Sequence, residues 1–311
     1  MFVELQNISR TFGNNQALVD VTLSLGVGRI GLLGPNGAGK STLMKILLGI
    51  LAPSGGTGRV LDQPLAGGGV ALRRAIGYMP EADSLVPGMQ GAEYVALAGE
   101  LYGMGRKQAL RRAHEVLTYL DLGDARYRKL EEYSTGMKQR LKLAQAIVHD
   151  PPALLLDEPT SGMDPAGREG MLDLLLRLGT EHNKAILLST HLLGDVDQVC
   201  DVVVILHQGR ILCQGPVRDL CRRRHDRYRL QIQGDPQGYL EELRLEDVRT
   251  LHENGRGEYR VQVPANWTTQ AFFKLAQVHQ VVVRGLQADD EDLEELFHRV
   301  IAENQRTGEN V

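Results

Sequence analysis

Residues 34–42 read Gly-Pro-Asn-Gly-Ala-Gly-Lys-Ser-Thr, between the apolar run 29–33 and the helical-looking segment 43–48. Strand, Gly-rich turn and helix in that order make the phosphate-binding loop pattern G-x-x-x-x-G-K-[ST]. Gly34, Gly37 and Gly39 are expected to permit backbone angles that turn successive N–H groups inward, toward an anion that the helix N-terminus also favours. Asn36 and Ala38 complete the cradle. In this pattern Lys40 reaches the β and γ phosphates of a nucleotide, Ser41 offers its hydroxyl to the accompanying magnesium ion, and Thr42 adds a second hydroxyl. A Gly-rich turn that binds nothing is the plain alternative, but it would gain little from a cation and two hydroxyls at the start of an amphipathic helix. The motif specifies a nucleotide and leaves its use open among kinases, GTPases, motors and transport ATPases.

The rest of the composition narrows the setting. The 311 residues, 42% of them hydrophobic, allow one large domain or a large one plus a small one, with an ordinary buried core. A net charge of -4 gives no global attraction to nucleic acid, and no nucleic-acid partner is expected. The N-terminus lacks a secretory pattern and no segment approaches the roughly 20 apolar residues needed to cross a bilayer. The chain is therefore expected to be neither secreted nor membrane-spanning. Cys200, Cys213 and Cys221 are odd in number and lack the close pairs of a zinc site, as reduced cysteines of a cytosolic protein would.

Taken in order, residues 2–8 and 17–25 have the character of strands, joined by the turn signal Phe12-Gly13-Asn14-Asn15. Phe12 is either a minor core anchor or an exposed platform for a base, and the residue by itself favours the core. Gly67-Gly68-Gly69 reads as a loop, and residues 75–80 as a buried strand stopped by proline, with Glu81 just beyond it. From 90 to 150 the spacing turns helical, with Tyr94, Leu97, Ala98 and Leu101 on an apolar stripe, which predicts a helical insertion in an α/β core. Leu85, Val86 and Tyr94 read as exposed. Ser134 caps the helix that follows it, and with Gly136 it can form a second phosphate site. Residues 153–157 form an apolar strand ending in Asp157, with Glu158 next to it. Two carboxylates at a buried strand tip are disfavoured unless a cation or a reaction uses them. Asp157 suits a magnesium shell and Glu158 a base for water. Asp164 is placed as an N-cap with Pro165 at the first helical position, and His191 ends another buried strand, where α/β folds bind ligands. Residues 201–206 and 210–214 make a closing hairpin. Arg222, Arg223, Arg224, Arg227 and Arg229 form a basic linker read as a solvated face, with anionic lipid contact as the minority reading. The remaining order, βαββαβ plus a terminal helix, is that of a ferredoxin-like split unit.

Five of these motifs, standing in one order, resemble the nucleotide-binding subunit of an ATP-binding cassette (ABC) transporter. The resemblance covers Met1 to about Leu220. Residues 34–42 are similar to its Walker A, 154–158 to its Walker B, and Ser134-Thr135-Gly136-Met137-Lys138 to its signature, while 161–164 correspond to its D-loop and His191 to its switch histidine. Phe12 then falls on the aromatic position that stacks adenine, against the preference from the residue alone. Tyr133, Thr135 and Met137 depart from the family's usual Leu-Ser-Gly-Gly-Gln, and Glu81 replaces its usual glutamine. Both departures resemble the subset serving exporters of the drug, polysaccharide or metal-handling type.

The resemblance implies an α/β fold: a P-loop NTPase core at 1–220 with an antiparallel β subdomain and a helical insertion at about 82–150, then a small α+β accessory domain at 221–311. It implies ATP and Mg2+ as cofactors, with Glu158 and His191 catalytic and Ser41 and Asp157 on the metal. Phe12, the loop residues 34 and 36–42, Glu81, Ser134, Gly136 and Asp164 would contact nucleotide. The partners it implies are an integral-membrane permease and a second copy or a paralogous cassette. The chain would then sit on the cytoplasmic face of the membrane through that permease. The rival readings are a soluble ABC ATPase acting on ribosome or DNA, and a P-loop small-molecule kinase. The kinase leaves the signature, Glu158 and His191 without a purpose.

Overall fold

The computed structural model describes residues 1–82, 85–255 and 257–308. The chain opens with β1 (Val3–Phe12) and β2 (Asn15–Leu25), longer than the sequence suggests because the turn between them is only Gly13-Asn14. Val3, Leu5 and Ile8 point inward opposite Leu25, Leu23 and Val21, the alternation a sheet with one solvated face requires. β3 (Arg29–Leu33) leaves this layer and feeds α1 (Lys40–Leu47). β4 (Gly55–Val60) and β5 (Gln63–Pro64) return to it, giving the order β2-β1-β4-β5. α2 (Gly69–Ala75) stands where three glycines suggested only a loop. Gly68 is its N-cap, and burial of Leu72 overrides the glycines' weak propensity.

The second sheet comprises β6 (Ile76–Met79), β7 (Ala153–Asp157), β8 (Ala185–Thr190), β9 (Val202–His207) and β10 (Arg210–Pro216) together with β3, in the order β10-β9-β3-β8-β7-β6. All run parallel except β10, which closes one edge as a hairpin with β9. A parallel sheet is covered on both faces, which is why every residue of β7 and β8 is buried. Between β6 and β7 lies the helical insertion, α3 (Gly91–Leu101), α4 (Arg106–Tyr119) and α5 (Thr135–Ile147). The expected apolar stripe divides here. Ala98 and Tyr94 are buried, with the Tyr94 hydroxyl donating to Gln145 Oε1 at 2.5 Å, while Leu97 and Leu101 are exposed. Tyr94 is thus a packing residue rather than the surface one its sequence context suggested, and Leu85 is half-buried. After β7 come α6 (Pro165–Thr180), α7 (Leu193–Val199) and α8 (Val217–Leu220).

The chain divides into two compact units, one of Met1–Val217 with Val300 onward, the other Arg218–Arg299. The second holds β11 (Arg227–Gln233), α9 (Gln237–Leu245), β12 (Arg249–Glu253), β13 (Glu258–Gln262), α10 (Thr269–Val278) and β14 (Val282–Ala288). Its antiparallel order β12-β13-β11-β14 is the ferredoxin-like split unit, built over Leu230, Tyr239, Val261 and Phe272. Edge strand β12 is exposed throughout, and its pairing with β13 slips by one residue between Thr250 and His252. α11 (Leu293–Gly308) starts in this unit with Leu293 and Leu296 buried. The arginines of the basic linker are less free than their sequence suggested. Arg224 pairs with Glu295 at 2.7 Å, and Arg229 with the buried Asp289 at 2.5 Å. Cys200 is a buried free thiol.

Just past α5, the His149 ring stacks on Tyr102, with centroids 3.5 Å apart and planes 6° from parallel. Burial pushes the imidazole down to about 4 from an ordinary 6.5, so the fold holds the neutral form. The stability it carries is fully present above pH 6.5 and is lost as pH falls toward 4. His149→Phe keeps a stacking ring that cannot protonate. Melting temperatures measured between pH 7 and 4.5 should fall less steeply in the variant than in the parent, and parallel slopes would refute this account.

Candidate functional site

The parallel register fixes where the chemistry gathers. Leu33 pairs with Thr190, and Asp157 with Ser189, so the segments that follow β3, β7 and β8 emerge together at the sheet's C-terminal edge. An open cleft of about 700 Å³ lies there. Its walls include Phe12, the loop from Asn36 to Thr42, Glu81, Asp157, Glu158 and His191. Residues read separately from distant parts of the sequence thus line one cavity.

The loop owes its shape to its glycines, but not all in one way. Gly37 and Gly39 lie in the left-handed region, at φ 81° and 106°. A Cβ on Gly39 would also stand 2.6 Å from the Ala17 carbonyl oxygen. Gly34 does not adopt such angles, contrary to expectation; there a Cβ would meet the Leu206 carbonyl oxygen at 2.2 Å, so the residue is set by close approach. Lys40 is buried, and its ammonium donates to the carbonyl oxygens of Gly34 at 2.7 Å and Pro35 at 3.3 Å. Burial pushes this ammonium below its ordinary value, while the carboxylates of Glu158, Asp157 and Glu81 pull the other way. The same burial, helped by Asp157 and Glu81, raises the nearby Tyr78 phenol to about 12.

The two carboxylates after β7 are both buried and both oriented. Asp157 Oδ1 accepts from Ser189 Oγ at 2.8 Å. Glu158 turns through a left-handed φ of 50°, a conformation costing a non-glycine residue roughly 1–3 kcal/mol. That turn brings Oε2 to Thr190 Oγ1, which donates at 3.2 Å, and Oε1 to His191 Nδ1 at 2.9 Å. A carboxylate can only accept, so Nδ1 carries the proton. Among the described residues no three His, Cys, Asp or Glu side chains are grouped to hold a metal by themselves. A divalent cation here would rest on Asp157, Ser41 and oxygens brought by a phosphate ligand, a set of hard donors that suits magnesium.

Phe12 stays 45% exposed at the cleft wall, with the Arg10 guanidinium 4.6 Å from its ring centroid, so it is a platform and not the core anchor its residue type favoured. Ser134, Gly136 and Asp164 do not line the cleft. Ser134 caps α5, its Oγ accepting from Met137 N at 3.3 Å. Asp164 holds the N-cap position of α6 but its side chain makes no capping bond, unlike the role read from sequence. Sequence reasoning missed Asn15, Gln16 and Ala17 at the start of β2 and Gln208 and Gly209 between β9 and β10, and it read Ser161 only as part of the D-loop and not as a cleft residue. Gly209 was visible as a hairpin turn, but its N–H donates to the Ala38 carbonyl at 3.0 Å, a contact only the tertiary structure reveals.

Residues 18–161 match the family described as ABC transporter. An uncharacterized ABC transporter ATP-binding protein of Bacillus subtilis, YxlF, is 35% identical over 77% of this chain and 80% of its own length. The linearmycin resistance ATP-binding protein LnrL of the same organism is 30% identical over 95% and 96%, so the likeness extends through the second unit. A dimeric ATP-binding cassette solved with ADP and phosphate after hydrolysis superposes with a TM-score of 0.64 at 25% identity, over 69% of this chain and 98% of that one.

Gly39→Ala adds a Cβ at a left-handed φ and 2.6 Å from the Ala17 carbonyl oxygen, a backbone atom that cannot swing aside as the nearby Leu18 side chain can. Affinity for nucleotide, measured by titration with a fluorescent analogue, should fall by about 5- to 150-fold, the equivalent of the roughly 1–3 kcal/mol such strain costs. Affinity within twofold of the parent would show that the loop tolerates another conformation.

Proposed function

The chain belongs to the ABC transporter family and is an ATP-binding, ATP-hydrolysing subunit of it, and we propose that it energises a separately encoded membrane permease as an exporter. The observation that carries this reading is the convergence of Lys40, Asp157, Glu158 and His191 on one cleft, with Ser134 and Gly136 outside it. One copy then supplies the loop and the carboxylates of an ATP site, and a second copy or a paralogue supplies its own residues 134–136 to close it. The dimeric relative supports that arrangement, and the relative named for linearmycin resistance supports export. Among the described residues no helix is long and apolar enough to cross a membrane, so transport calls for a partner that does.

Within the cleft, loop N–H groups and the Lys40 ammonium hold the phosphates, and Phe12 stacks the adenine. Magnesium, held by Ser41 and Asp157, would neutralise charge building on the phosphates. Ser189 keeps Asp157 aimed, and Thr190 and His191 keep Glu158 aimed. Glu158 accepts the proton of the attacking water, with its orientation already fixed. His191 commits Nδ1–H to Glu158, which leaves its second nitrogen, Nε2, as the group that can share a proton with a γ-phosphate oxygen. It thereby joins the base to the group under attack.

Glu158→Gln keeps size and hydrogen bonding but cannot take a proton. Steady-state ATP hydrolysis should fall by about 10²-fold or more while ATP binding persists. Asp157→Asn should instead weaken magnesium-dependent binding. Near-normal turnover in Glu158→Gln beside a collapse in Glu81→Gln would move the base to Glu81. The full chain should also co-purify from solubilised membranes with a polytopic protein, and a population bound to ribosomes or DNA would remove the permease reading.

A further inference from the structure

Asp195 is fully buried in the first turn of α7, four residues beyond His191, and does not line the nucleotide cleft. Its carboxylate is nonetheless heavily engaged. Oδ2 accepts from Thr160 Oγ1 at 2.5 Å, and Oδ1 accepts from Arg168 Nε at 2.6 Å with Nη2 at 2.5 Å. Thr160 lies two residues past Glu158 and is itself buried. Arg168 stands in the first turn of α6, where its N–H donates to the Asp164 carbonyl at 2.9 Å. One carboxylate therefore ties together the segment after β7, the start of α6 and the start of α7.

His191 needs such an anchor. Its side chain is 52% exposed, and its ion-pair contact to Glu158 is through Nδ1 alone. Its position depends on the backbone that carries it, which is fixed by Thr190 Oγ1 accepting from Leu192 N at 3.0 Å and by Asp195 N donating to the Leu192 carbonyl at 3.1 Å. Asp195 thus holds the histidine segment with its backbone and the glutamate segment with its side chain. A buried carboxylate meeting both a guanidinium and a hydroxyl resists displacement, because losing either partner leaves charge desolvated.

We propose that Asp195 is a positioning residue for ATP hydrolysis. By clamping Thr160 and Arg168 it makes residues 158–168 and 190–195 move as one body, so the Glu158–His191 pair keeps its spacing. The inference rests on the reading that this pair serves hydrolysis. It predicts a loss in turnover and not in binding, since Lys40 and the phosphate loop lie outside the clamp.

The test compares Arg168→Ala, Arg168→Lys, Asp195→Asn and Thr160→Val in the full chain, by kcat, KM, ATP affinity and melting temperature. Arg168→Ala and Asp195→Asn should each lower kcat at least about tenfold, leaving KM and ATP affinity within twofold. Arg168→Lys should recover half or more of the loss, and the double variant should be no worse than the poorer single one, because both remove one unit. Should either single variant fail to fold, the double variant, which leaves no unpaired buried charge, and Thr160→Val, whose valine fills the space of threonine, carry the test with the same tenfold loss of kcat. The clamp is overturned if folded variants keep kcat within twofold, or if kcat falls only in step with affinity. A Glu158→Gln control separates the two failures. An inactive control beside a fully active Arg168→Ala overturns the clamp alone. An active control overturns the assignment of Glu158, and with it the clamp, which then has no pair to position.

Discussion

Everything at the cleft depends on the parallel pairing of β3 with β8 and of β8 with β7. That register places the end of the phosphate loop's strand, the two carboxylates and the histidine segment at one edge, although they come from residues 33, 157–158 and 190–191. A slip by one residue would turn Asp157 and Ser189 to opposite faces and part their 2.8 Å hydrogen bond. A slip would also carry the Asp157 carboxylate along the fully buried, apolar body of the sheet without its Ser189 partner, a desolvation cost that forbids it. Hydrophobic burial in the sheet thus fixes the geometry of its charged rim.

That rim is a dense arrangement of opposite charges around an open cleft. Lys40 stands in the field of three carboxylates while bonded to two carbonyl oxygens, and Glu158 is held in a strained backbone conformation by two side chains of the next segment. A site so organised meets the charge of a phosphate ester with groups already in place, which is the economical form of electrostatic stabilisation. The cost is borne by the surrounding packing, and Asp195, outside the cleft, belongs to that support.

Most of the site was legible in the sequence because its residues are local to strand ends and turns. Residues 34–42 and 153–158 carry both their chemistry and their secondary structure in a few consecutive positions. What escaped was non-local or short. Gln208 and Gly209 join the cleft only because the β9–β10 hairpin folds against the loop at Ala38. α7, seven residues long, is too brief to show a period, so Asp195 went unread with it. Gly34 was read correctly as required and wrongly as left-handed, since a chain alone cannot tell a conformational need from a neighbour's proximity. Phe12 was ambiguous by residue type, and the family resemblance, more than its own chemistry, placed it at the cleft.

The one-residue slip in β12 has a bearing on how the chain behaves in company. Leu251 is the extra residue between Thr250 and His252, so the exposed edge of the second sheet is kinked in its middle. An incoming strand from another molecule would find its ladder of hydrogen bonds interrupted after two or three residues, too few to hold it. The sheet therefore ends where it ends, and a crowded, partly unfolded neighbour meets there a poor template for aggregation.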